Sequence, residues 1–254
     1  MVLRMAILTA QALVCLMGGC GAKMKGHMAP VFAFIALDTP KPASAQAVQE
    51  SLVSMRPGTT PIRDLKVDAQ SISFATGKYT CIAVLADFPI PWSDLEGPCA
   101  VSWMWKDATE RMKAHRAHLI VTVQGDGPRT ERCLLLTKIM AALAAVHDTA
   151  GIYWGDGIVV HEPRFFIETA KTSDAQNLPA MLWIEFRIER NPDSTANVLT
   201  TGLDAFDLME VEVIGTKRGV PEVLGIVVGA AAMMLEGEAF KRRRYDWPRR
   251  EYPN

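Results

Sequence analysis

The chain has 254 residues, with 27 Lys and Arg against 28 Asp and Glu, five His, five Cys and 49% hydrophobic residues. That is one large domain or two small ones, and the apolar fraction, with 22% charged residues, excludes wholesale disorder. A net charge of -1 argues against a protein that coats nucleic acid through its overall field, and five Cys are too sparse for a disulfide scaffold.

The first 27 residues admit two readings. Ala6 to Gly19 is apolar or small except for Thr9 and Gln11, and Leu16-Met17-Gly18-Gly19 precedes Cys20. This resembles a bacterial lipoprotein signal with Cys20 as the lipidated residue, although Met17 stands where Leu is usual and the basic segment holds only Arg4. In the other reading the protein begins near Met28, just before the first strand-like run, and is cytoplasmic. The second is favoured, because Cys81, Cys99 and Cys133 sit in surroundings that suit small buried hydrophobes. Beyond residue 27 no run of ~18 uninterrupted apolar residues occurs, so a membrane association is expected only through Cys20.

From there the elements follow in order. Val31 to Leu37 (VFAFIAL) is a buried strand, and Asp38-Thr39-Pro40 ends it. Ser44 caps a helix over Ala45 to Met55, with Ala47, Val48, Leu52 and Met55 on one face, stopped by Arg56-Pro57-Gly58. Val67 to Ala75 alternates and forms a hairpin with Tyr79 to Ala86. Ser93 with Glu96 reads as the start of a helix to Trp103 that Gly97-Pro98 delays or interrupts. A charged helix over Lys106 to His115, a strand over His118 to Val123 and a helix over Glu131 to His147 capped by Thr130 come next. Gly151 to Trp154 and Ile158 to Val160 flank a Gly155-Asp156-Gly157 turn. Pro163 to Thr172 is a helix, and Ala180 to Arg190 alternates as a strand. Asn197 to Thr201 and Met209 to Ile214 are further strands. Pro221 to Gly237 is a helix so apolar that burial on most sides is expected. Lys241 to Asn254 holds six basic residues without apolar periodicity and is expected to be a mobile end.

Hairpins with interspersed helices, and neither a linker nor a repeat, predict one compact α+β domain over residues 28–240 with a mostly antiparallel sheet. Its first half reads as a split β-α-β arrangement with extra helices.

Several ordered blocks carry a resemblance. PWSDLEGPCAVSWMW, HRAHLIVTV, LLLTKIMAALAA and GIYWGDGIVVH, then LWIEFRI and TTGLDAFDLMEVEV, resemble the bacterial family known as domain of unknown function 4261, over about residues 31–235. That family has no established reaction, so the resemblance implies kinship without mechanism. Thr200-Thr201-Gly202-Leu203 followed by Glu210 is also similar to a turn in some bacterial toxin-immunity domains, which implies a toxin-like protein partner.

Candidate chemistry is sparse. His115 and His118, three apart, could share a metal on a helix, with His147 or His161 as a third ligand; the strand beginning near His118 opposes that geometry, and no metal is expected. His161 could act as a general base oriented by Asp156, and Cys99 at a helix start could have a lowered thiol pKa. A Gly-x-Ser-x-Gly elbow is absent, and Gly125-Asp126-Gly127 leads into Pro128 with no phosphate-loop Lys, so no cofactor is expected. The carboxylates Asp87, Asp94, Glu96, Asp107 and Glu110 read as a solvated face. Trp92, Trp103, Trp105 and Trp154 are the unusual feature: at least two belong in a core, and the others suit a binding surface. The expectation is therefore a non-catalytic, immunity-like protein-binding domain that binds no nucleic acid. The alternatives are a hydrolase built on His161, His118 and nearby carboxylates, or an envelope lipoprotein.

Overall fold

A computed structural model of the chain describes residues 30–55 and 60–237. The lipoprotein-like segment with Cys20, the Arg56-Pro57-Gly58 stop and the basic tail lie outside the described residues.

Seven strands form one antiparallel sheet: β1 (Val31–Leu37), β2 (Ile62–Val67), β3 (Ser71–Thr76), β4 (Tyr79–Ala86), β5 (Ala117–Gln124), β6 (Thr149–Trp154) and β7 (Val159–His161), in the order β2-β3-β4-β5-β1-β6-β7. β1 lies at the centre, with Ile35 opposite Leu119 of β5 on one side and Ile152 of β6 on the other. Helix α1 (Ala45–Met55) follows β1, α2 (Trp92–Val101) and α3 (Ala108–Ala114) separate β4 from β5, and α4 (Arg129–Ala144) joins β5 to β6. β5 and β6 are thus parallel to each other, joined by α4, with β1 inserted between them. Taken with β4, this is the split β-α-β-β-α-β connectivity of ferredoxin-like folds.

The alternation of β1 explains its uninterrupted apolar run. Val31, Ala33, Ile35 and Leu37 enter the core beneath α1 and α4, while Phe34 and Ala36 face a second core beneath α2 and α3. A strand covered on both faces has no position left for a polar side chain. β3 and β4, nearer the edge, keep the period of two. α4 is buried almost all round: Ser51 of α1 donates to its Ala142 carbonyl at 2.8 Å, its inner face lies on the sheet, and helix α5 (Pro163–Thr172) packs along another side. Each fully buried Leu or Ile there contributes about 1.5–3 kcal/mol.

The remaining chain forms a short helix α6 (Ala180–Trp183), a second antiparallel sheet of β8 (Glu185–Arg190), β9 (Ala196–Thr201) and β10 (Glu212–Thr216) in the order β10-β9-β8, and helix α7 (Val220–Leu235). Their buried residues belong to the same core as α1 and α4. The fold is a compact α+β domain, as the sequence predicts.

Local departures have local causes. The run Val67 to Ala75 is two strands, because Asp68 N bonds Ser71 O at 2.8 Å in a tight turn; the preceding strand β2 is an edge strand whose Arg63, Asp64 and Lys66 hide its period. Ser93 and Thr130 do not cap helices, since α2 and α4 start one residue earlier, directly after Pro91 and Pro128. α2 runs on through Pro98. Ala180 to Trp183 is helical rather than extended, with Ile184 N bonding Ala180 O at 2.9 Å. β10 starts later than Met209 because Glu210 folds back to accept hydrogen bonds from Thr200 Oγ1 at 2.6 Å and Gly202 N at 2.9 Å. α7 is buried on one stripe only, Val223, Val227, Ala231 and Leu235, while Ile226 is 54% and Met233 42% exposed.

The Thr200–Leu203 turn and the Gly155-Asp156-Gly157 turn meet. Gly202 has φ +115°, and a Cβ there would fall 2.8 Å from the Gly157 Cα; a Cβ on Gly157 would fall 2.1 Å from the Trp183 carbonyl oxygen. These glycines let the two sheets approach backbone to backbone. Gly157→Ala is therefore expected to lower stability by roughly 2 kcal/mol or more. Gly225→Ala, which meets open space in α7, is expected to be neutral or stabilising by up to about 1 kcal/mol. Urea midpoints of the two variants check the pair.

Candidate functional site

Each described histidine is built into the fold through its ring nitrogens. His115 Nε2 accepts from Ile90 N at 2.7 Å while Nδ1 donates to the Met112 carbonyl, which fixes one neutral tautomer. His118 Nδ1 bonds Phe88 O at 2.8 Å, with the Phe34 and Phe88 rings beside it. His147 Nδ1 bonds Leu143 O at 2.7 Å, and its Nε2 accepts from Ala43 N at 3.3 Å. His161 Nε2 donates to Leu182 O at 3.0 Å beside Phe165 and Phe166. Burial lowers the pKa of all four, and brings His161 from 6.5 to about 4.

The pairings anticipated from the sequence do not form. Asp156 is ion-paired to Arg129, whose guanidinium lies over the Phe206 ring, so it does not orient His161. His115 and His118 turn to different carbonyls, and among the described residues no group of three His, Cys, Asp or Glu could hold a metal ion. Cys99 lies in the second half of α2, away from its N-terminus, and burial pushes its thiol up to about 11 against the opposing charge of Lys113. Cys81 and Cys133 are likewise raised to about 12 by burial. Asp87, Glu96, Asp107 and Glu110 are exposed, and Asp94 is half-buried.

The tryptophans divide. Trp105 is buried in the second core against Gly151, where any Cβ would collide with its ring. Trp154 is buried and stacks on Trp183 with ring centroids 6.2 Å apart. Trp92 is half-buried, with the Lys113 ammonium 4.6 Å from its ring centroid. Trp103 is 44% exposed, and its Nε1 donates to the Phe186 carbonyl of β8 at 2.8 Å. That bond spans the gap between the loop after α2 and the second sheet.

Trp103 thereby forms one wall of a shallow open cleft of about 30 Å³ between the end of α2, β7 and the α6–β8 segment. Met104 and Ile158, 45% and 44% exposed, line it with Trp103, and Met181, Ile184 and Glu185 also contribute. Ile158 has φ +52°, a left-handed conformation that a β-branched residue adopts only when its surroundings impose it, at a cost of about 1–3 kcal/mol. The β6–β7 turn holds it there through the Ile158 N to Gly155 O bond at 3.3 Å.

Sequence reasoning did not single out Glu185, Met104 or Ile158. The acid in LWIEFRI, alone among apolar neighbours, was the available signal for Glu185. Nothing local marks Ile158, because its exposure depends on the turn that precedes it. No family model, no curated protein and no solved structure matches this chain.

The histidines make a sharp acid response. A group whose folded pKa is depressed contributes stability that is present above its unfolded value and lost as pH falls towards the folded one. For His161 the drop from 6.5 to about 4 is worth about 3 kcal/mol. Urea unfolding is expected to weaken steadily as pH falls from 6.5 towards 4, with a shallower decline in His161→Asn.

Proposed function

We propose that this protein is a non-catalytic protein-binding domain and that the cleft beside Trp103 receives a segment of its partner. The observation that carries the reading is the exposed cluster of Trp103, Met104 and Ile158, one member of which is held in a strained conformation that presents its side chain at the cleft. Exposed Trp and Met at a concave apolar surface are typical anchors of protein interfaces. The groups that would carry a hydrolytic mechanism support the same reading from the other side. His161 and Cys99 are buried, His161 is committed to a backbone carbonyl, and burial holds both neutral near pH 7.

The immunity-like version of this reading takes a toxin as the partner. It rests on the similarity of the Thr200–Leu203 turn to toxin-immunity domains. In this fold that turn is an internal joint pinned by Glu210, so the toxin contact itself falls to the Trp103 cleft. Among the described residues no helix is long and apolar enough to cross a membrane. A chain starting near Met28 would act in the cytoplasm, and one lipidated at Cys20 at a membrane surface.

The test is a pull-down from the native host near endogenous level, with intact-mass analysis of the bait. One stoichiometric protein partner is expected, and its capture is expected to fall at least about tenfold with Trp103→Ala/Met104→Ala. Loss of the Trp103 bond to Phe186 is monitored by the melting curve. If the double variant remains folded and retains the partner in full, the cleft is not the binding site. The bait mass separates a Met28 start from a lipidated Cys20.

A further inference from the structure

Helix α7 carries a surface that the cleft does not use. From Val223 to Leu235 its sequence holds no polar or charged side chain. Burial accounts for one stripe of that run, Val223, Val227, Ala231 and Leu235, which packs into the core. The opposite stripe presents Ile226 and Met233, both exposed, alongside Gly225 and Gly229, which face open space. Leu224 and Val228 are half-buried at its border. A surface helix turns charged residues outward, whereas a helix that is apolar all round is covered on every side or lies against lipid.

Charge indicates what covers this face. The chain has a net charge of -1, yet residues 217–254 hold eight Lys and Arg against five Asp and Glu. Lys217 and Arg218, both exposed, stand just ahead of α7, and Arg218 pairs the nearby Glu222 at 2.8 Å. The run Lys241-Arg242-Arg243-Arg244 begins four residues after Gly237, so even full extension keeps Lys241 within about 14 Å of that residue. Chain connectivity alone thus holds cations near both ends of the apolar face. Tyr245 and Trp247, residue types that favour the boundary between lipid and water, follow the basic run. A second copy of the chain would set these cations against their equals, whichever way it turned. An anionic bilayer complements both features, and an apolar helix face beside a cluster of Lys and Arg is the pairing that attaches proteins to one.

We propose that α7 docks the protein on an anionic membrane surface, with Ile226 and Met233 at the boundary of the acyl chains and the cations at its two ends drawn to the headgroups. At 16 residues α7 is about 24 Å long, short of the roughly 30 Å hydrocarbon region. Its buried stripe also ties it to the core, so it lies on the bilayer and does not cross it. This docking needs no lipid on Cys20 and uses none of the residues that line the Trp103 cleft.

The experiment floats the full chain carrying Cys20→Ala, so that no lipid anchor contributes, with phosphatidylcholine vesicles containing about 30% phosphatidylglycerol and with phosphatidylcholine vesicles alone. Binding to the anionic vesicles is expected to be at least about tenfold stronger, and to fall as salt is raised. Ile226→Gln/Met233→Gln is expected to keep the parent melting curve and to bind the anionic vesicles at least about tenfold more weakly. Lys241→Gln/Arg242→Gln/Arg243→Gln/Arg244→Gln is expected to lose binding by a similar factor. No binding to anionic vesicles, equal binding to both kinds, or full binding by the folded Ile226→Gln/Met233→Gln variant each overturns the inference. A lipid-free dimer that this variant splits, with no vesicle binding by the parent, gives the face to a second copy instead. Should the double variant not fold, Gly229→Glu, a single change into open space on the same face, takes its place with the same loss expected.

Discussion

Trp183 makes contacts that belong to three parts of the chain. Its Nε1 donates to Thr137 Oγ1 on α4 at 2.8 Å, one face of its ring stacks on Trp154 of β6, and it stacks on Phe206 at 5.6 Å beside the second sheet. Thr137 in turn donates to the Cys133 carbonyl, so the hydrogen bonds of the pair are satisfied inside a fully buried region. The backbone around Trp183 is drawn in with it. Gly157 packs on its carbonyl, Gly202 packs on Gly157, and the preceding Leu182 carbonyl accepts a hydrogen bond from His161 Nε2. The position of β8 relative to the large sheet therefore follows from where this indole lies.

The cleft is a consequence of that placement. Because α6 must turn to bury Trp183, β8 starts just beyond it, with Glu185 beside the end of β7. The second sheet then stands against the loop after α2, close enough for Trp103 to reach the Phe186 carbonyl. Ile158 enters the same space because the β6–β7 turn, compressed against Gly202, leaves it a left-handed backbone. None of the three cleft walls comes from the same element, so the site belongs to the junction and not to either sheet alone.

The junction also explains where the titratable chemistry went. His161 lies at the end of β7 and is spent on holding α6, while Asp156 is spent on Arg129. His115 and His118 bind the Ile90 and Phe88 backbone, which fastens the segment between β4 and α2 to β5. Residue types that read as catalytic candidates in a linear sequence are here the hydrogen-bond partners of irregular backbone. A buried amide or carbonyl that no strand or helix can satisfy needs such a partner.

Much of the architecture is legible in the residues. VFAFIAL announces a buried strand, the Ala45–Met55 pattern announces a one-sided helix with the Ser44 hydroxyl oxygen accepting from Ala47 N, and the run Tyr79 to Ala86 announces the second strand of a hairpin. These signals are local, because burial on one or two faces imposes a period that the side chains must obey. The same periodicity misread Ala180 to Trp183 as strand and α7 as buried, since alternation does not know that an indole must turn inward or that a helix at the rim has neighbours on one side only. Of the cleft, Trp103 was visible as a residue type, whereas Glu185 and Ile158 were not. Composition and pattern determined the class of fold and the central strands. Which polar groups are consumed and which aromatic ring stays exposed were decided by the contact of two sheets far apart in sequence.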